Sequence, residues 1–138
     1  MRRFLFALVM LPGIALSGAM AGEIEIKLAQ TAIDSQLKAF RAGDNAAAYD
    51  YAAPNVKQIF PTVEAFMGMV ANGYAPVHKP QSYAFGKVEE LGGRIAQQVM
   101  IVGPDGKDYE ALYTLEQQPD GTFRITGVSL RASNSLTT

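Results

Sequence analysis

Residues 109–117 have the sequence YEALYTLEQ, in which apolar and polar side chains alternate. Successive side chains of a β-strand point to opposite faces of the sheet, so this alternation predicts a strand with one buried face. The residues expected to point inward are Tyr109, Ala111, Tyr113 and Leu115. This strand is therefore expected to form one wall of the hydrophobic core.

Three more segments are rich in aromatic and β-branched residues and predict further strands. They are Ser82–Leu91, Arg94–Val102 and Phe123–Leu130. The connections contain Gly92-Gly93, Gly103-Pro104-Asp105-Gly106 and Pro119-Asp120-Gly121. Glycine in such short loops supplies the positive φ angles that hairpin turns require. We therefore predict that the four strands pair in sequence order as an antiparallel meander.

Glycines interrupt the alternation in the first and last predicted strands. The pattern changes face at Gly86 and again at Gly127. A glycine at such a position is typical of a β-bulge, which bends a sheet. We therefore expect a curved sheet that, with helices across its concave side, forms a cone whose mouth can hold a small molecule.

The N-terminal half of the chain has helical periodicity. Apolar residues recur every three or four positions over 25–42, Asp44 can cap a second helix that stops before Pro54, and Thr62 can cap a third that ends at Gly73. Between and after these helices we expect a short strand over 56–60 and an extended linker over 74–80. The predicted fold class is α+β, with three N-terminal helices on a curved antiparallel sheet of four to five strands.

Composition excludes several chemistries. The 138 residues contain no cysteine and one histidine, so disulfides, thiolate metal sites and a cysteine nucleophile are ruled out. No metal or cofactor is expected. The 12 basic and 13 acidic residues form no basic cluster, and a nucleic-acid partner is therefore not expected either. The length is that of one domain.

The first 21 residues are typical of a secretory signal peptide. Met1-Arg2-Arg3 is basic, residues 4–16 are apolar and uncharged, and Ala19-Met20-Ala21 offers a small-residue cleavage site. We expect the general secretion route, a periplasmic or secreted location and no stable membrane anchor after cleavage. The mature domain would span 22–131, followed by a flexible polar tail at 132–138.

Several motifs resemble the bacterial domain-of-unknown-function family 4864. They include Gln36-Leu37-Lys38-Ala39-Phe40, Phe66-Met67-Gly68-Met69-Val70, Gly73-Tyr74-Ala75-Pro76-Val77 and Asp120-Gly121-Thr122-Phe123-Arg124-Ile125. The order of elements resembles the cystatin-like cone of the nuclear transport factor two (NTF2) superfamily. This resemblance implies an NTF2-like fold and no particular activity, since that superfamily contains isomerases, cyclases and dehydratases beside members that only bind or dimerise. Phe123 stands where tryptophan is expected in the family.

Six residues are candidates for a pocket inside the cone: Asp50, Tyr74, His78, Gln97, Tyr109 and Tyr113. His78 has the only side chain that titrates near neutrality when unperturbed, and burial of Asp50 between two tyrosines would raise its pKa. Gln97 and the two strand tyrosines could orient a ligand in an apolar hollow. Each also has an ordinary structural interpretation, as a solvated side chain or as core packing.

These residues fit two kinds of function, a binding domain or an enzyme. A third function, a structural role, depends instead on the outer face of the sheet. The first is an exported, non-catalytic domain that binds a small apolar or amphipathic ligand or a protein partner, with a homodimer left open. The alternative is an enzyme of the isomerase or cyclase type, with Asp50 or His78 as general base and a tyrosine as hydrogen-bond donor. The third is a structural part of an envelope assembly, which would need an apolar patch at Met100, Val102 and Leu112 on the outer face of the sheet.

The signal-peptide prediction is tested by expressing the full chain in a Gram-negative bacterium. We expect periplasmic protein whose N-terminal residue, read by mass spectrometry, is Gly22. Ala21→Arg is the control, because a bulky charged residue at the cleavage site blocks processing. Recovery of uncleaved wild-type chain from the cytoplasm would contradict the prediction.

Overall fold

Five helices precede four strands in the computed structural model, which describes residues 4–133 and their side chains from Gly22 onward. The helices are α1 (Phe4–Ala42), α2 (Asn45–Asp50), α3 (Pro54–Ile59), α4 (Val63–Gly73) and α5 (Ala75–His78). The strands are β1 (Ser82–Glu90), β2 (Arg94–Val102), β3 (Asp108–Gln117) and β4 (Phe123–Ala132). Over this part of the chain, no helix is both long enough and apolar enough to cross a bilayer.

The strands form one antiparallel sheet in the order β1-β2-β3-β4, so the predicted meander is confirmed. Gly92, Gly93, Gly106 and Gly121 in its turns have positive φ angles, as hairpin connections require. The inward row of β3 is also confirmed over most of its length, because Ala111, Tyr113 and Leu115 are buried. Opposite them, Ile95, Gln97, Val99 and Ile101 are the buried residues of β2.

Both predicted bulges are present. The register between β1 and β2 shifts between Phe85 and Val88, so that β1 has one more residue than its partner at Gly86. The register between β3 and β4 shifts at Thr114 and Leu115, where Thr126 is the extra residue beside Gly127. Such bulges bend each edge strand and increase the local twist, which curves the sheet around the helices.

The β1 bulge is held by two consecutive glutamines of β2. From the inner face, the Gln97 Nε2 donates to the carbonyl oxygens of Gly86 at 3.2 Å, Lys87 at 3.3 Å and Gln98 at 2.7 Å. From the outer face, the Gln98 Oε1 accepts a hydrogen bond from the Lys87 backbone N–H at 3.1 Å. A Cβ on Gly86 would lie 2.5 Å from that same Gln98 oxygen, so a larger residue here would displace the Gln98 side chain from this bond.

The helices cover the inner face of the sheet. α1 places Ala29, Ile33, Leu37 and Phe40 in the core, which is the periodicity expected from the sequence. The predicted caps are confirmed as well, because Asp44 accepts from the Ala47 N–H and Thr62 accepts from the Ala65 N–H. Residues 4–21 of the predicted signal peptide form the beginning of α1, whereas Met1, Arg2 and Arg3 lie outside the described residues.

Two predictions about connecting segments are wrong. Residues 54–59 form the helix α3 rather than a short strand, and residues 75–78 form α5 rather than an extended linker. Each helix has a proline in its first turn, where the missing N–H costs nothing and the fixed φ favours helix. A fifth strand is limited to one parallel bridge between Ala52 and Ile125.

The predicted flexible tail overlaps the sheet at its start. Ala132 is the last residue of β4 and pairs with Tyr109, and the Ser133 N–H donates to the Asp108 carbonyl oxygen at 3.0 Å. Residues 134–138 of the predicted tail lie outside the described residues.

Replacing Gln97 should weaken the fold. We expect Gln97→Leu to cost about 1–3 kcal/mol in free energy of unfolding, because it removes the buried amide that bonds the bulge carbonyl oxygens and the Gln30 side chain. The matched control is Gln117→Leu, which removes an exposed bond to the Gly121 carbonyl oxygen and should cost less than about 1 kcal/mol. Urea unfolding followed by circular dichroism measures both values, and equal costs would contradict the role given to Gln97.

Candidate functional site

A cleft of about 270 Å³ opens between the helices and β4, and we call it the helical cleft. Its floor consists of buried side chains from α1, α4, α5 and β4. They are Gln36, Phe40, Phe66, Val70, Val77 and Ile125, together with Ala52. The floor is thus apolar except for the amide of Gln36.

The mouth of the helical cleft is formed by α3 and by the end of α4. Ile59 of α3 is 69% exposed there, Asn55 is exposed, and Met69 and Tyr74 are half-buried. α3 itself buries no residue and lies against β4, where the Asn55 Nδ2 donates to the Thr126 carbonyl oxygen at 3.0 Å. The second bulge therefore supplies the edge on which the wall of the cleft rests.

Among the described side chains, from Gly22 to Ser133, none that lines the helical cleft is charged. Its polar side chains are Gln36, Asn55, Tyr74 and Thr126. The Gln36 Nε2 donates to the Ala48 carbonyl oxygen at 3.0 Å, which joins α1 to α2. The Thr126 hydroxyl donates to the Thr114 hydroxyl at 2.9 Å on the sheet. Such a lining favours a neutral, mostly apolar occupant.

Tyr74 is the one residue of the six predicted for the pocket that lines the helical cleft. It ends α4 and precedes α5, so its ring is placed beside Met69 at the mouth. Met69 of α4 also lines the helical cleft, and both Met67 and Met69 pack against the core.

Asp50 and His78 lie apart from the cleft lining. Asp50 is exposed at the end of α2, and its carbonyl oxygen accepts a hydrogen bond from Arg124. His78 is half-buried with its ring against the edge of the Phe40 ring, 6.0 Å between centroids. Burial lowers the pKa of His78 below its ordinary value of 6.5, and the charge of Lys79 lowers it further.

Gln97, Tyr109 and Tyr113 share the inner face of the sheet without forming a shared site. The Gln97 amide is occupied by the bulge and by Gln30, whose Nε2 donates to the Gln97 Oε1 at 2.9 Å. Tyr109 donates its hydroxyl to the Asp105 carboxylate at 2.6 Å in the turn. Tyr113 is fully buried, which raises the pKa of its hydroxyl, and within the described residues that hydroxyl has no hydrogen-bond partner.

The sequence analysis missed a pair between α1 and β1. The Tyr83 hydroxyl donates to the Asp34 carboxylate, which also accepts from the Lys38 ammonium at 2.9 Å. The bond from Tyr83 and the contact with Lys38 lower the pKa of Asp34, whereas burial and the bond to Asp34 raise the pKa of Tyr83 to about 12. At neutral pH the carboxylate is ionised and the phenol neutral, so this pair braces the helix against the strand. The sequence offered one sign of this pair, because strand alternation places Tyr83 on the inner face of β1, towards the helices.

The outer face of the sheet has a larger, shallow depression of about 760 Å³. Its centre is polar, because the Glu110 carboxylate accepts from Gln98 and pairs with Arg131 at 2.6 Å. Leu112 is 46% exposed beside them, while Met100 and Val102 are half-buried. An assembly partner was expected to bind an apolar patch formed by Met100, Val102 and Leu112. The hydrogen-bonded side chains of Gln98, Glu110 and Arg131 interrupt that patch.

Metal binding finds no support in the described part of the chain. There, no group of three or more His, Asp or Glu side chains is placed to hold an ion.

The architecture, five helices over a curved four-stranded sheet with a cleft on the helical side, is that of NTF2-like proteins. Solved NTF2-like proteins of unknown function have the same fold. One from Shewanella baltica has a TM-score of 0.56 at 8% identity, covering 80% of this chain and 95% of its own. One from Silicibacter pomeroyi has a TM-score of 0.55 at 16% identity, covering 85% and 98%. A third, from Burkholderia xenovorans, has a TM-score of 0.50 at 13% identity, covering 80% and 86%.

The chain belongs to the family of the domain of unknown function DUF4864, whose model matches residues 24–138. The family resemblance drawn from the sequence motifs is therefore confirmed. No curated protein sequence matches this chain. The similarity to the solved structures is low in identity and establishes the fold alone.

The lowered pKa of His78 makes stability depend on pH. Below about pH 6.5 the unfolded state binds a proton at this histidine more readily than the folded state, so stability should fall as pH decreases from about 7 to 5. His78→Gln removes the titration and should flatten the curve in that range. Asp34, whose ordinary pKa of 3.8 is lowered, acts below this window. The measurement is the free energy of unfolding in urea at a series of pH values. The same pH dependence for the wild type and His78→Gln would contradict the prediction.

Proposed function

We propose that this protein is an exported, non-catalytic NTF2-like domain that binds a small apolar or amphipathic molecule in the helical cleft. The observation that supports this most strongly is the cleft itself, with an apolar floor of buried side chains and no charged side chain in its lining. An open apolar concavity with a few polar groups is the usual form of a small-molecule site.

The volume of the helical cleft limits the size of the occupant. A cavity of roughly 150 Å³ accommodates one benzene molecule. By that scale, 270 Å³ accommodates a molecule of about ten to twelve non-hydrogen atoms. A single aromatic ring with a short side chain, or a bicyclic ring, meets this requirement. A long lipid chain or a steroid would extend beyond the helical cleft.

Two features support a binding function over the isomerase-type alternative. That mechanism needs Asp50 or His78 as general base at the pocket, but Asp50 is exposed and His78 is not among the residues that line the helical cleft. In addition, none of the described groups whose pKa is shifted lines the helical cleft, whereas catalytic acids and bases are usually such groups.

Export is supported by the position of the family match. The match begins at residue 24, directly after the signal peptide predicted for residues 1–21. Cleavage after Ala21 would leave α1 beginning at Gly22, with the buried residues Ala29, Ile33, Leu37 and Phe40 retained. Binding in the periplasm or outside the cell is thus compatible with the fold of the mature domain.

Filling the helical cleft tests the binding function. Val128 lies at the cleft and is half-buried, so Val128→Phe should occupy part of the volume and weaken the binding of neutral ligands such as indole and propylbenzene at least tenfold. For the wild type we expect dissociation constants on the order of 0.1 mM, as small ligands of this size give. Ligand-observed NMR and calorimetry measure these values.

The matched control is Val102→Phe, the same substitution on the outer face of the sheet. It should leave the affinities within about twofold, because it does not alter the helical cleft. The proposal fails if wild-type protein binds none of the neutral ligands, or if the two variants weaken binding equally. Light scattering on the same samples reports whether the domain forms the homodimer that the sequence left open.

A further inference from the structure

The Gln36 side chain is the one polar group on the floor of the helical cleft, and the orientation of its amide is determined. The residue is 3% exposed. Its nitrogen lies 3.0 Å from the Ala48 carbonyl oxygen, which can only accept a hydrogen bond. The amide NH₂ group must therefore face Ala48, and the Oε1 faces the other way.

The Gln36 Oε1 has no hydrogen-bond partner within the described residues, since the only bond made by this side chain is through its nitrogen. It also differs from the fully enclosed atoms that lack partners, which are the Glu25 Oε1 and the Tyr113 hydroxyl. The Gln36 oxygen thus retains contact with open space. The open space lined by Gln36 is the helical cleft, so a free acceptor points into its floor.

We propose that the helical cleft selects neutral molecules that carry a hydroxyl or N–H group, which donates a hydrogen bond to the Gln36 Oε1. This inference depends on the proposed binding function and names the chemical class of the ligand. The ligand's apolar body lies against the rings of Phe40 and Phe66 and the side chains of Val70 and Val77, and its donor points to the floor.

The physical basis of the selectivity is the cost of an unpaired buried acceptor. In the empty cleft, water can bond the Gln36 oxygen. A ligand without a donor displaces that water and leaves the oxygen unpaired, whereas a ligand with a donor replaces the lost bond. A site that bonds a ligand hydroxyl therefore discriminates against the analogue that lacks it.

A charged ligand is excluded by a different effect. A carboxylate or ammonium group loses its hydration on entering the helical cleft, and the lining supplies no opposite charge. The ligand must therefore combine a donor with neutrality, as phenols, alcohols and indoles do.

Matched ligands test the inference without altering the protein. The compounds are 4-propylphenol, its methyl ether 4-propylanisole and the anion 4-propylbenzoate, titrated into the mature wild-type protein at neutral pH by calorimetry. We expect the phenol to bind at least tenfold more tightly than the ether, and the benzoate to bind at least tenfold more weakly than the phenol.

Two variants assign the selectivity to a residue. Gln36→Met retains the approximate size of the side chain and removes the acceptor, so the ratio of ether to phenol dissociation constants should fall to near one. Tyr74→Phe tests the hydroxyl at the mouth in the same way. The control is Gln117→Met, the same substitution at an exposed glutamine outside the helical cleft, which should leave that ratio unchanged. Circular dichroism monitors folding, because Gln36→Met also removes the bond to Ala48.

The outcomes separate this inference from the binding function itself. If the ether binds as tightly as the phenol, the role of Gln36 is wrong while the binding function stands. If Tyr74→Phe removes the selectivity and Gln36→Met does not, the donor is recognised at the mouth and the assignment to Gln36 is wrong. If neither neutral compound binds, the binding function fails first. Should Gln36→Met not fold, the comparison of phenol with ether still decides.

Discussion

The amide of Gln97 is the interaction on which the shape of this protein depends. One buried side chain donates to the carbonyl oxygens of Gly86 and Lys87, which the bulge in β1 removes from the sheet ladder. Its oxygen accepts from Gln30 of α1, so the same amide also fastens the helix over the bend. Without this amide, the bulge would lose hydrogen bonds that join it to β2, and α1 would lose its bond to the same point. The curvature of the sheet is therefore maintained by a polar group inside an apolar core.

The second bulge has a different role, because its residues Thr126 and Gly127 line the helical cleft. At Ile125 and Thr126, β4 binds the segment before α3 through the bridge to Ala52 and the bond from Asn55. α3 thereby lies against β4, where Val56 packs against the core and no residue of the helix is fully buried. The helical cleft is the space left between this short helix and the core. The bulge in β1 thus helps to curve the sheet around the helices, and the bulge in β4 borders the helical cleft.

The candidate residues differ in how well sequence could place them. Asp50 was considered a buried acid because tyrosines flank it, but neighbouring residues of a helix point in different directions, so flanking rings say nothing about its burial. Gln97 was correctly assigned to the inner face by strand alternation, yet its amide is occupied by backbone carbonyl oxygens of β1 and β2 and by Gln30. Gln36 belongs to a family motif, but nothing in the sequence marked it as a pocket residue. Its free oxygen became apparent once its nitrogen was seen to bond Ala48.

The sequence alone determined the strands, their antiparallel order, both bulges, the caps at Asp44 and Thr62 and the family, because alternation, turn glycines and capping residues act over a few positions. The tertiary structure alone decided which polar groups are occupied and which remain open. Those outcomes depend on contacts between distant parts of the chain, such as Gln30 with Gln97 at 67 residues and Asn55 with Thr126 at 71 residues of separation. Local sequence patterns predict which face of a strand or helix a residue occupies. Its hydrogen-bond partner comes from a distant segment, which only the packing of the elements brings close enough.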